Sequence, residues 1–201
     1  LQIALKQHPF MQSPETIEVV YFPHRSDWRE WLHLNFRYKK EVWFVFPHKH
    51  AGLKAVSYND AVEEALCFGW IDSTVRKLDD FRKIQRFTPR RPKSTYSQPN
   101  IERLKWLLEH NMVHPHIVTS ALAVVDKPFH YPADILEAIK QLPEAWAHYQ
   151  RFSEGYKRIR IAYIEDARPR PEEFQRRLNN FIAKTLAGKR IAGYGGIDKY
   201  Y

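Results

Sequence analysis

Trp70-Ile-Asp-Ser-Thr-Val-Arg76, then Asp79-Asp80, then Phe81-Arg-Lys-Ile-Gln-Arg-Phe87 decide the fold. Two runs rich in β-branched and aromatic residues flank a short acidic turn, which is the pattern of a β-hairpin. A connection this short joins antiparallel strands and cannot carry a crossover. Upstream, Thr16-Ile-Glu-Val-Val-Tyr-Phe22 reads as a strand. Glu41-Val-Trp-Phe-Val-Phe46 reads as another, apolar enough to be buried on both faces. Between them Trp28, Trp31, Leu32 and Phe36 recur at helical spacing over 28–38, behind an Asp27/Glu30 pair at capping-box separation. Ser57 and Asp60 repeat that separation ahead of Ala61, Val62, Ala65 and Leu66, and Phe68-Gly69 ends this second helix.

Beyond Ser97 the periodicity is helical almost to the end. Pro99, Pro115, Pro132, Pro143 and Pro171 each stand where a helix would start, and Ser153 caps a helix carrying Tyr156, Ile159 and Tyr163. The expectation is an α+β chain, a small antiparallel sheet packed with helices and followed by a C-terminal all-helical region. It divides into an extended lead-in at 1–16, an α+β domain at 17–127, a helical domain at 132–190 and a flexible tail at 191–201. The boundary falls either in the proline- and basic-rich stretch Thr88–Pro99 or in the loop from Lys127 to Pro132, whose two prolines and lack of periodicity suit a linker.

The chain has 201 residues, 32 Lys+Arg against 23 Asp+Glu, and a net charge of +9. Hydrophobic residues at 44% and aromatics at 14% exclude a disordered chain. With 7 glycines and 1 cysteine it is neither collagen-like nor a disulfide scaffold. No apolar run reaches the roughly 18 residues of a membrane span. The expected location is the cytoplasm, and nothing in the sequence sets an oligomeric state. The charge is concentrated: 76–93 carries eight basic and two acidic residues, and 151–190 carries eleven and five. The rest of the chain is slightly acidic. Concentrated basic tracts favour an anionic ligand or nucleic acid as partner.

Within and after the hairpin stand Arg86, Arg90 and Arg91, then Ser94, Tyr96, Ser97 and Asn100. Guanidinium forks match phosphate and carboxylate, hydroxyls and amides complete such a site, and Ser97 falls at a helix N-terminus. On the first hairpin strand Trp70 and Asp72 share a face, with Ser73 beside them. The alternative assignment is structural. Arg86 or Arg90 would tie to Asp72, Ser97 would cap its helix and Trp70 would sit in the core. A catalytic alternative makes Asp72 a base in an open pocket, with the three arginines as clamps for a small anionic substrate. Cys67, late on an apolar helix, reads as a buried inert thiol. His48, His50, His110, His114 and His116 lack metal-site spacing, and no glycine-rich phosphate loop or nucleophile elbow is present. No metal or cofactor is expected.

These blocks resemble the YdeI/OmpD-associated (bacteriocin-protection) proteins. The resemblance rests on Trp28–Leu32, on Ser57–Ser73 with its Ala65-Leu-Cys-Phe-Gly-Trp-Ile-Asp-Ser73 core, on Arg86-Phe-Thr-Pro-Arg-Arg91 and on Ser94–Asn100. Tyr96 stands where the family usually has Trp. In the helical half, Arg176-Arg177-Leu178 falls at the family's Arg-Arg-Ile, while Glu173-Phe174 replace its preceding Thr-Arg. The resemblance covers roughly 28–190, with the central block the more specific part. It implies a small C-terminal helical domain and no known reaction. The reading is a binding module with a basic, aromatic-rich surface.

Overall fold

The computed structural model describes residues 17–92, 94–193 and 196–201; the expected lead-in at 1–16 lies outside these. The hairpin forms where the alternation places it. β3 (Trp70–Lys77) and β4 (Arg82–Pro89) run antiparallel, and β2 (Val42–Pro47) pairs antiparallel with the other edge of β4. A bulge sets Ser73 and Thr74 together opposite Arg86, between the Asp72↔Phe87 and Val75↔Gln85 pairs. Val42–Phe46 are all buried, as a strand covered on both faces requires.

The sheet is not wholly antiparallel. The strand expected over 16–22 contracts to β1 (Val19–Val20), which pairs parallel with β2 and gives the order β1-β2-β4-β3. The cause is α1 (Arg25–Asn35), a helical crossover that returns the chain in the same direction. α1 also begins earlier than its aromatic stripe. Its N-cap is His24, with no side-chain cap bond, and Asp27 instead lies in the first turn, where a carboxylate favours the helix dipole. At α2 (Tyr58–Cys67) the expected cap forms: the Asp60 amide donates to Ser57 Oγ at 3.1 Å. Gly69 closes α2 at φ +71°, where a Cβ would press on Ile117 Cδ1 at 3.1 Å.

The helical half follows the prolines. α3 (Gln98–Glu109), α4 (Pro115–Val125), α6 (Pro143–Arg151) and α8 (Pro171–Leu186) carry Pro in their first turns. α5 (Ala133–Lys140) has Pro132 as N-cap, and Ser153 caps α7 (Glu154–Glu165). Two apolar clusters result. The first joins sheet, α1, α2 and α3 through Trp28, Leu32, Phe44, Trp70, Phe87 and Leu104. The second holds Ile135, Ile139, Tyr156, Ile161 and Phe181 of the later helices. Between them Arg158 of α7 grips Glu102 of α3 through two hydrogen bonds of 2.7 and 2.8 Å.

The last residues, expected to be flexible, are docked where they are described. Ile197 is buried, and Ile197–Tyr200 make one 3-10 turn. Lys199 Nζ donates to Glu63 Oε1 at 2.9 Å and sits 3.4 Å over the Trp106 ring. The Tyr200 hydroxyl also donates to Glu63, and its carbonyl crowds the space that a Cβ on Gly155 would take. Burial pushes the Glu63 carboxyl up, but the bonds from Tyr200 and Lys199 and the charge of Arg25 outweigh it and hold it below the ordinary range.

Candidate anion-binding groove

The ten residues singled out by sequence fall into three places. Trp70 and Asp72 face the helices. Trp70 is buried, its indole N–H donating to the Phe36 carbonyl at 3.1 Å. Asp72 accepts from Tyr58 Oη at 3.0 Å and Gln85 Nε2 at 2.6 Å, so its partners are neutral groups and not the arginines. Ser73 and Arg86 lie on the hairpin. The Ser73 hydroxyl reaches the Arg86 carbonyl at 3.4 Å, and the Arg86 guanidinium goes to Glu41, with Nε at 2.8 Å. Arg86 holds the Glu41 carboxyl below its usual range. The β2–β4 register explains the pairing, since Trp43 faces Arg86 and Glu41 lies just before that pair.

The remaining six surround the N-terminus of α3. Arg90, Arg91, Ser94 and Tyr96 line a groove of about 620 Å³, while Tyr96, Ser97 and Asn100 line a second cavity of about 710 Å³. Asp72, Trp70, Ser73 and Arg86 line neither. Arg90 lies flat on Tyr96, 3.5 Å from the ring centroid, and donates to the Thr95 carbonyl at 2.7 Å and to Ser94 Oγ at 3.2 Å. Burial lowers the Arg90 pKa from its ordinary value, with Tyr96 and the Asp72 charge acting the other way. Ser97 is the N-cap of α3, yet its side chain makes no cap bond, and Asn100 accepts from Arg103.

The groove gains members that sequence reasoning missed. Lys105 comes from α3, Lys127 from the connection after α4 and Arg158 from α7, so five cationic side chains and no carboxylate line it. Arg91, Lys105 and Lys127 form no ion pair among the described residues. The β3–β4 hairpin differs. Lys77 pairs with Asp80 at 2.5 Å and Arg82 with Asp79 at 2.6 Å, while Arg76 covers the Trp43 ring at 4.6 Å. With Arg86 on Glu41, three of its five cations are paired, while Arg76 and Lys83 form no ion pair among the described residues.

Residues 20–120 match a family model described as Domain of unknown function (DUF8412), which is half of the chain. The chain belongs to that family. A second model, described as Bacteriocin-protection, YdeI or OmpD-Associated, matches residues 128–188. The resemblance read from sequence therefore holds over part of the chain, on the helical half. The central block at 57–73 and 86–100 lies inside the DUF8412 match instead. No curated protein and no solved structure matches the chain. The groove straddles the two matched regions, with Arg90, Arg91 and Lys105 in the DUF8412 part and Arg158 in the other.

Other chemistry in the DUF8412 region is muted. Burial, with the Glu64 charge, pushes the Cys67 thiol up to about 12, so it is a poor nucleophile. Among the described residues no group of three or more His, Cys, Asp and Glu is placed to hold a metal. His114 sits between His33 and His116, ring centroids 5.6 and 5.3 Å away, and packs on Phe36 and Phe68. Burial lowers its pKa first, and then the charges of His116, His33, Arg37 and Arg29. The unfolded chain binds this proton more readily, so stability is intact above the ordinary His pKa of about 6.5 and is lost as pH falls below it. The urea midpoint is expected to drop between about pH 7 and 5, and His114→Asn, which keeps an N-capping acceptor, is expected to flatten that drop. An unchanged slope in the variant would assign the acid sensitivity elsewhere.

Proposed function

We propose that this chain is a binding module that holds a phosphate-bearing polyanion, a nucleic-acid strand, in the groove at the N-terminus of α3. One observation carries the reading: Arg90, Arg91, Lys105, Lys127 and Arg158 converge there with no lining carboxylate. Arg158 is already held by Glu102, but Arg90, Arg91, Lys105 and Lys127 have no carboxylate partner among the described residues, and such groups release condensed cations from a phosphate backbone on binding. Tyr96 and Phe129 supply aromatic surface beside them, as single-strand grooves do. The catalytic alternative draws no support from the geometry, because Asp72 lines neither cavity and is engaged by Tyr58 and Gln85.

The test is fluorescence anisotropy of a labelled short single-stranded oligonucleotide across a salt series. Affinity is expected to fall steeply with salt. Arg91→Ala/Lys127→Ala, which removes two cations without ion pairs, is expected to weaken binding about tenfold at low salt and to flatten the salt slope by about one unit or more. Lys77→Ala/Lys83→Ala on the hairpin is expected to change little. Absent binding at low salt, or equal losses in both double variants, would overturn the groove assignment.

A further inference from the structure

We propose that the cavity of about 710 Å³ between α3 and the α7–α8 pair is a second, separate site, for a small organic monoanion with an apolar body, and that Arg160 is its anion-binding group. This does not depend on the groove reading. Arg160 is 8% exposed, yet no carboxylate reaches it among the described residues. Its Nη2 donates to the Ile191 and Ala192 carbonyls at 2.8 and 2.9 Å and to the Tyr201 hydroxyl, and its Nε is buried with no hydrogen-bond partner. A guanidinium removed from water and met only by neutral groups keeps an unneutralised charge, and buried charges are ordinarily paired. A bound anion would complete it.

The other walls fix the ligand class. Phe181, Ile164 and Ile197 are buried and apolar, and they flank the arginine. The opposite wall is the N-terminus of α3, whose Ser97 hydroxyl is not used in capping. Arg176 and Arg177 also line the cavity and share one carboxylate, Glu173, at 2.7 and 2.6 Å, which leaves one positive charge between them. Asp166 on the same lining offsets it in net charge, and Arg103 lines the wall with Asn59 and Asn100 as partners. The buried Arg160 guanidinium beside an apolar wall suits a carboxylate on an aryl or short alkyl body. The volume is within the usual range for small-molecule sites.

The probes are benzoate and hexanoate, with benzyl alcohol as the neutral counterpart of benzoate, titrated calorimetrically and by ligand-observed NMR. At least one carboxylate is expected to saturate and to raise Tm, and benzyl alcohol is expected to bind at least tenfold more weakly. Arg160→Met is expected to abolish the difference. Because Arg160 also anchors the tail, the deciding variant is Asn180→Trp. Asn180 is an exposed lining residue that makes none of the Arg160 bonds, and filling its side of the cavity is expected to abolish binding in a folded protein. Arg91→Ala/Lys127→Ala is expected to leave carboxylate binding unchanged, which separates this site from the groove. Saturation by neither carboxylate, equal binding of benzyl alcohol, or unchanged binding in Asn180→Trp would overturn the proposal.

Discussion

Trp28→Ala is expected to destabilise the fold by about 4 kcal/mol, the middle of the range for emptying a buried aromatic site. In a domain of this size that is a fall in Tm of roughly 8–16 °C. Trp28 is fully buried where α1 meets the sheet. Its ring meets Phe44 at 5.1 Å and Phe87 at 5.4 Å edge-on, stacks on Trp31 at 5.3 Å, and packs on Phe22 at 5.8 Å. Its Nε1 donates to the Ala61 carbonyl at 3.0 Å, so truncation also leaves a buried α2 carbonyl without that donor. Helix, sheet and second helix all lose contacts at once, and none can collapse into the void without moving the others. Thermal melts followed by circular dichroism read the shift. Phe81→Ala is the control: Phe81 is 58% exposed at the hairpin turn, and its loss is expected to stay within about 0.5 kcal/mol. Similar shifts for both would mean that Trp28 does not hold α1 to the sheet.

Arg25→Met is expected to cost about 3 kcal/mol by a different route. Glu63 and Glu64 stand side by side on α2, essentially without solvent exposure. Arg25 contacts both, reaching Glu63 Oε2 at 2.9 Å and Glu64 Oε1 at 2.5 Å, and also Asp60 Oδ1 at 2.7 Å. Arg29 supports Glu64 at 2.6 Å and Lys199 supports Glu63 at 2.9 Å. Removing the central cation leaves two carboxylates in low dielectric with half their charge support, and buried carboxylates are costly without it. Arg25 itself is about 29% exposed, which tempers the loss to the low end for a broken buried pair. The pH dependence follows from Glu63. Its pKa is depressed in the fold, so its contribution is present above the ordinary carboxylate pKa of about 4.3 and lost as pH falls through the folded value. The gap between parent and variant is therefore expected to narrow in acid. Urea denaturation at neutral and acid pH checks both points, and a gap that widens in acid would count against a charge origin.

Much of the architecture was legible because short-range signals agreed with the final packing. Ser57, Ser153 and the helix-starting prolines gave the helical boundaries, and the Asp79-Asp80 turn gave the hairpin. The parallel pairing of β1 was not legible, since partner choice depends on where α1 returns the chain and two residues of strand carry little pattern. At the site, the arginine-rich run correctly marked the neighbourhood of α3. It did not show that Arg86 would turn away to Glu41, a choice fixed by β2–β4 register. Nor could spacing along one strand reveal Lys105, Lys127 and Arg158, which meet only when α3, α4 and α7 pack. Only Arg158 left a trace, in the basic excess at 151–190; Lys105 and Lys127 lie where the sequence shows no basic excess. Arg158 and Arg160 on α7 face different cavities because two helical positions differ by about 200° around the axis.

The bonds from Lys199 and Tyr200 to Glu63 join positions 136 and 137 residues apart. Contacts of such sequence separation form late, because the intervening chain must already be ordered before they are favourable. The hairpin and the α3–α4 pair close over short loops and can form first. The segment at 196–201 is then a final clasp, and by the same logic the first part to let go. In hydrogen exchange under native conditions, the amides of the 3-10 turn and the exchange-slowed core of α2 behind it would report two different opening events, the smaller one nested inside the larger.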